Sequence, residues 1–382
     1  MSGVGVNILG DFVDDRDRLY RWLDAARPAA VVVMDNFGMA LEIKRRLPEC
    51  DVVFRAYDPH DHEAHHKLTP DAWLALHTRY AQNGIIVQAL NEPGGYGEIA
   101  GLVAWLVELM RLATEQGVRL CLPNFAVEHP DRDLLQTGAF DPLLRALAGS
   151  SHLLGLHEYF IEQADVGEQR VGRYQYWLQR AQAIGVPAPH IVMTEFGRDV
   201  AGGERDGWRD TGWSEAEYAD RLVWAYRHWY ALNGIAACIF CYGVGGGRRW
   251  ASFDVEGAGD LLGRIAAYNT RLPVEEAQPG IISMTGPYVN LRAAPSTSAA
   301  DQGDLHDGDR VRYYATMVTD AQGRQWYRLA APIGFAAGWL MSIKPVPETP
   351  PSVVERMTRA ELERLQELNA EIAAILKTAS ER

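Results

Sequence analysis

Two glutamates stand where short apolar runs end: Ala89-Leu90-Asn91-Glu92-Pro93 closes one run and Met193-Thr194-Glu195-Phe196-Gly197 another. Taken singly, a strand-end glutamate is ordinarily a solvated or salt-bridged rim residue. A pair, each following an apolar run that would otherwise bury its charge, points to chemistry instead. Two carboxyls separately placed at one site supply what glycosidic cleavage asks for: a protonated carboxyl donates to the leaving oxygen, while an ionised one attacks the anomeric carbon or activates water. Their gap would set the stereochemistry, about 5 to 5.5 Å for a retaining pair and about 6.5 to 9.5 Å for an inverting pair that admits a water. A third run carries Gly155-Leu156-His157-Glu158-Tyr159, with an imidazole and a phenol two residues apart, on one face of a strand.

The elements that must position these residues alternate from residue 4 to about 273. Eight runs, at 4–10, 30–35, 51–57, 85–92, 118–125, 153–160, 190–197 and 235–243, are rich in β-formers and too short for helices. Between them lie stretches of helical period, with Thr69-Pro70-Asp71 opening one and Gly84, Gly117, Gly185 and Gly234 closing others. Eight βα units in this length predict a (β/α)8 TIM barrel over residues 1–273. The competing doubly wound sheet would show fewer strands and a Gly-rich phosphate turn after the first, where this chain has Leu9-Gly10-Asp11-Phe12. In such a barrel the working face lies at the C-terminal strand ends. Glu92 then comes from the fourth strand and Glu195 from the seventh, on opposite sides of the mouth.

Long loops after the third, seventh and eighth strands supply the cleft. The first holds His60, His62, His65 and His66 with Asp58, Asp61 and Glu63. Adjacent His65 and His66 diverge and no strand-borne ligands join them, so a polar rim is the plainer reading and no metal is expected. Trp208, Trp213 and Trp250 sit in polar, Gly-rich loop sequence, where indoles can stack on pyranose rings or anchor the loops. Gly243 to Gly247 lacks the basic helix start of a phosphate site, apart from Arg248 and Arg249. Cys50, Cys121, Cys238 and Cys241 read as core, with neither a disulfide nor a zinc pair.

Asn91-Glu92-Pro93 after the fourth strand and Glu195 at the end of the seventh resemble the clan A glycoside hydrolases, a large group of retaining (β/α)8 enzymes. The resemblance spans essentially the whole first domain. It implies Glu92 as general acid/base, Asn91 as ligand of the sugar 2-hydroxyl and Glu195 as nucleophile. It also implies Tyr159 as hydrogen-bond donor to the nucleophile, with His157 on the same face and Arg55 helping to hold a carboxylate ionised. The sugar platform falls to Tyr242 or Trp250, because the eighth strand ends Phe240-Cys241-Tyr242-Gly243 without a Trp. A carboxyl hydrogen-bonded by Tyr and Arg stays ionised, while one beside apolar or anionic neighbours is raised, which makes Glu92 the expected raised group. The implied activity is a retaining, cofactor-free O-glycoside hydrolase acting within a β-linked polysaccharide. A peptidoglycan lysin with the same glutamate pair and a non-catalytic carbohydrate-binding protein are the alternatives.

After Pro273 the pattern changes to short strands and turns, about five strands over 280–345. Val289-Asn290-Leu291-Arg292, Gly308-Asp309-Arg310-Val311, Gly323 to Leu329 and Gly338-Trp339-Leu340 resemble, in order, a bacterial SH3-type domain, a small all-β barrel that implies a cell-wall ligand. Its Trp326, Tyr327 and Trp339 could be core or contact surface. Residues 346–382 read as a Pro-rich linker and a C-terminal helix whose Leu365, Leu368, Ile372 and Ile375 stripe wants a partner, either the barrel or a second copy in a homo-oligomer. The net charge of -13 repels phosphate backbones and argues against nucleic acid. No apolar run reaches the length of a membrane helix, and the first residues show no signal-peptide pattern, which leaves the compartment unassigned.

Overall fold

The computed structural model describes residues 3–345, apart from 59, 95–97, 162–169, 201–205, 245–249, 271–277, 293–296, 298–300, 315–316, 320–323 and 332. Two compact units divide at Glu275 and Glu276. In the first, eight parallel strands close into a barrel in chain order: β1 (Val4–Leu9), β2 (Ala30–Met34), β3 (Asp51–Arg55), β4 (Ile86–Gln88), β5 (Leu120–Phe125), β6 (Leu153–Phe160), β7 (Ile191–Arg198) and β8 (Ala236–Tyr242). Closure of β8 onto β1 excludes the doubly wound alternative. The inward positions Val32, Val53, Ile86, Cys121, Leu153, Val192 and Cys238 pack into one apolar layer, the expected consequence of period-two alternation along each strand. Helices fill the gaps between strands, one opened by the capping box of Ser214 and Glu217. All four cysteines are buried and free.

β4 is shorter than its apolar run. Leu90 and Glu92 both take left-handed backbone, at φ 60° and 49°, so the chain leaves the strand just where Asn91 and Glu92 are presented. Such conformations cost roughly 1 to 3 kcal/mol each in a residue with a side chain, and persist where neighbours hold them.

Three strands carry a residue that the neighbour's register skips. Pro123 pairs with Gly155 and Phe125 with Leu156, leaving out Asn124. Leu156 pairs with Met193 and His157 with Glu195, leaving out Thr194. Asn7 pairs with Phe240 and Ile8 with Tyr242, leaving out Cys241. A skipped residue shifts the phase of everything after it. Val192 faces the barrel interior; strict alternation would therefore send Glu195 outward to the helices, and the bulge at Thr194 turns it into the mouth. At Cys241 the same device turns Tyr242 away from the mouth.

The second unit is an antiparallel sheet of β9 (Gln278–Ser283), β10 (Val289–Arg292), β11 (Asp301–Leu305), β12 (Arg310–Tyr313), β13 (Val318–Thr319), β14 (Gln325–Ala331), β15 (Ile333–Ala337) and β16 (Ser342–Pro345). Its order is β11-β10-β15-β14-β12-β9-β16, with β13 beside β14, more strands than the five expected and no closure into a barrel among the described residues. Ile282, Leu291, Val311, Trp326, Leu329 and Phe335 form its own core. Its aromatics divide between the two roles: Trp326 is core, whereas Trp339 is 46% exposed with the Arg324 guanidinium over its ring. The expected C-terminal helix and its linker lie outside the described residues. Among the described residues no helix is long and apolar enough to cross a membrane.

Candidate active site

Strand ends bring Arg55 (β3), Asn91 and Glu92 (after β4), His157 and Tyr159 (β6) and Glu195 (β7) together. The left-handed turn at Glu92 is pinned by its own backbone N–H, which donates to the Asn124 carbonyl at 2.9 Å. Gln88 Nε2 donates to Asn91 Oδ1 at 3.1 Å. Across the mouth, the Tyr159 hydroxyl donates to Glu195 Oε2 at 2.6 Å, and Arg55 Nη1 lies 4.0 Å from Glu195 Oε1. His157 Nδ1 is 2.8 Å from Glu92 Oε1 and 3.5 Å from Glu195 Oε2. One oxygen of each glutamate and a ring nitrogen of His157 all fall within 4.8 Å of one another. Glu92 is open to the cleft, with a side chain 46% exposed, while Glu195 is only 11% exposed and His157 fully buried.

The electrostatics reverse one expectation. Burial pushes Glu92 upward, but the hydrogen bond and charge of His157, with Arg55 behind them, outweigh it and hold the carboxyl below its ordinary value. Glu195 is the raised group: burial and the nearby Glu92 charge push it up against the opposing pull of His157, Tyr159 and Arg55. The sequence placed Arg and Tyr beside Glu195 but could not show that a buried imidazole would bond directly to Glu92. Burial disfavours a charged His157, yet the two carboxylates beside it prevail and raise its pKa.

These three groups are the one set of His, Cys, Asp and Glu donors among the described residues that converges closely enough for a metal ion. Arg55 already supplies positive charge there, as does His157 when protonated. The histidines after β3 form no such set; His62 instead faces the cleft and pairs with Glu63 at 3.5 Å.

The glutamates open into a cleft of about 800 Å³. Arg55, Asn91, Tyr159 and Trp250 line it as expected from the sequence, and Trp250 packs edge-on against Phe240 and Phe253 at 5.5 and 5.7 Å. The other expected platforms do not reach it. Trp208 is buried and stacked on Tyr218 at 5.1 Å, an anchor for its loop. Trp213 is held between the guanidinium groups of Arg198 and Arg221, at 5.4 and 4.1 Å. Tyr242 is fully buried on the far side of the β8 bulge. His157, on the same strand face as Tyr159, lies behind the glutamates, fully buried. Phe12 and Tyr57, 43% and 50% exposed, line the cleft in their place. Tyr57 is an aromatic two residues past the end of β3 and Phe12 one three residues past the end of β1, a signal the sequence did carry. Asp35, at φ 62° after β2, and Asp199 also line it.

No protein-family model matches the chain, and no curated protein matches it. Among solved structures, the chain is similar to the catalytic domain of a mannanase from Streptomyces sp. SirexAA-E, at 14% identity over 72% of this chain and 88% of that chain, with a TM-score of 0.41. It is similar to the catalytic domain of an endoglucanase from Thermobifida fusca, at 13% identity over 69% and 92%, with a TM-score of 0.43. It is also similar to a glycoside hydrolase family 30 subfamily 8 xylanase from Clostridium acetobutylicum, at 9% identity over 81% and 93%, with a TM-score of 0.43.

Proposed function

We propose that this chain is a retaining O-glycoside hydrolase that cuts within a β-linked polysaccharide, with Glu195 as nucleophile and Glu92 as acid/base. One observation carries the reading: carboxylates from β4 and β7 meet in the barrel mouth, with an oxygen of each within 4.8 Å of the other, at the edge of an open cleft. That approach is close to the ~5 to 5.5 Å of a retaining pair and shorter than the gap that admits a water between the two groups. Glu195 attacks the anomeric carbon while Glu92 passes a proton to the departing glycosidic oxygen. Glu92 then takes a proton from the water that cleaves the glycosyl ester.

The two carboxylates beside His157 raise its pKa, which makes it the reservoir of that proton in this mechanism. When Glu195 spends its negative charge in forming the ester, the imidazolium loses one of its two carboxylate partners, and the proton moves through the 2.8 Å contact toward Glu92. Tyr159 keeps the nucleophile oriented, Asn91 is placed for a sugar hydroxyl, and Trp250 offers a face to a pyranose ring. The β-unit is proposed as an SH3-type module that holds the barrel near a polymer or cell wall.

Reducing-sugar release from β-glucans, mannans, xylans, galactans and purified peptidoglycan, measured for wild type, Glu92→Gln and Glu195→Gln, tests the proposal. The expected outcome is release from one polymer that falls at least a hundredfold in both variants. Release from peptidoglycan alone would identify a lysin. Undiminished release by Glu195→Gln removes that residue as nucleophile, and a folded, silent wild type that still binds one of the polymers turns the reading to a carbohydrate-binding protein.

A further inference from the structure

Beneath the glutamates lies a buried polar layer that the proposed reaction does not itself use. Asn124 is fully buried, sits in left-handed backbone at φ 58°, and is the residue that the β5–β6 register skips. Its Nδ2 donates to the Leu90 and Cys121 carbonyls, each at 3.1 Å, and its own carbonyl accepts from Glu92 N–H at 2.9 Å. Its Oδ1 accepts from the Thr194 hydroxyl at 3.0 Å. Thr194 is the skipped residue of β7 and the immediate neighbour of Glu195, and its carbonyl accepts from Asn7 Nδ2 at 3.1 Å. The two bulges thus face each other across β6, where Gly155 leaves the space: a Cβ there would come within 2.0 Å of Asn124 Oδ1.

We propose that Asn124, braced by Thr194 over Gly155, is a positioning residue that fixes the separation of Glu92 and Glu195. It grips the backbone on both sides of the active centre: directly at Leu90 and Glu92, and through one hydroxyl at the residue before Glu195. A regular strand would offer neither contact, because without a bulge Asn124 and Thr194 would have no common space in which to meet. The kinetic consequence rests on the glycosidase reading; the geometric consequence does not.

The test compares Thr194→Val, which removes one hydroxyl from the layer and nearly preserves volume, with Asn124→Ala. Thr270→Val serves as control, because it removes a hydroxyl bonded to the Ala266 and Ala267 carbonyls at 3.2 and 3.1 Å, away from the site. Crystal structures give the gap between the two carboxylates, and steady-state kinetics on the cleaved polymer give kcat and KM separately. Thr194→Val is expected to widen the gap and lower kcat about 10- to 100-fold with KM within about twofold, since small displacements of reacting groups carry penalties of this order. Asn124→Ala should do the same or more, and the control should leave both gap and kcat as in wild type. Folded Thr194→Val with an unchanged gap and kcat overturns the proposal, as does a loss confined to KM. If Asn124→Ala does not fold, Thr194→Val alone decides. If wild type cuts none of the polymers, the glycosidase reading fails, and the gap in the variant structures still decides for or against the clamp.

Discussion

His157 is bonded to Glu92, close to Glu195 and closed to solvent, so the pH dependence of the site is a property of the three groups together. As the proposed nucleophile, the raised Glu195 must be ionised to attack, so kcat/KM is expected to fall as pH drops through a value above its ordinary one. The raised His157 must be protonated to supply Glu92, so the alkaline limb should fall as pH climbs through a value above that of a free imidazole. Tyr159→Phe removes the hydrogen bond that helps keep Glu195 charged. It should move the acid limb upward and lower kcat about 10- to 100-fold, the worth of one hydrogen bond to a charged group. A pH–rate profile checks both, and an acid limb that stays put or moves downward contradicts the assignment. The sequence announced Glu92, Glu195 and Tyr159 because each ends a recognisable run. It named the wrong glutamate as the raised one, because that depends on a 2.8 Å contact between residues 65 positions apart.

β6 works on both of its faces. Its inward residues His157 and Tyr159 serve the mouth, while Glu158 between them points outward and accepts from Gly172 N–H, Tyr174 N–H and the Tyr230 hydroxyl at 2.6, 2.8 and 2.7 Å. This carboxyl closes the N-terminal end of the helix Tyr174–Ala183 onto the strand. Burial is the larger influence and pushes it up to about 7, against the hydrogen bonds and Arg173. A carboxyl raised in the folded state favours folding most when protonated. Its contribution is therefore complete below the unfolded value and is lost as pH rises through about 7. Urea unfolding at pH 5 and pH 8 should show Glu158 contributing a loss of stability between them, on the order of 3 kcal/mol at most, read as the difference between wild type and Glu158→Gln, because the shifted Glu195 and histidines vary in both. A wild type and a Glu158→Gln variant with the same change of stability between the two pH values would contradict this. All eight strands were legible in the sequence as β-rich runs, although β4 takes up only Ile86–Gln88 of its run at 85–92. The bulges at Asn124, Thr194 and Cys241 were not, because skipping one residue leaves the apolar pattern of a short strand almost unchanged. Tyr242 was misplaced for that reason, whereas for Trp208 and Trp213 the anchoring alternative describes the contacts, with partners in Tyr218 and two arginines.

At the scale of the molecule, every described residue lining the cleft falls between Leu9 and Phe253, inside the first compact unit. A chain ending at residue 275 is accordingly expected to keep kcat/KM on a soluble oligosaccharide within about twofold of the full chain. If the β-unit tethers the enzyme to a polymer, the same truncation should lose activity on the insoluble substrate alone, which parallel assays on the two forms would show. The change of pattern after Pro273 located this second unit from sequence, but its eight-stranded sheet exceeds the five strands expected because several strands are only two to five residues long. The three bulges also bear on how this barrel could be engineered. A sequence optimised for regular strands would draw the skipped residues into the ladder, restore unbroken alternation, and gain a more stable and more designable scaffold. It would also rotate Glu195 into the helix layer and return Tyr242 to the mouth. For this protein, consensus-style regularisation of β5, β7 and β8 is a route to a sturdier barrel with no active centre, so stabilising changes belong in the helices and at the N-terminal ends of the strands.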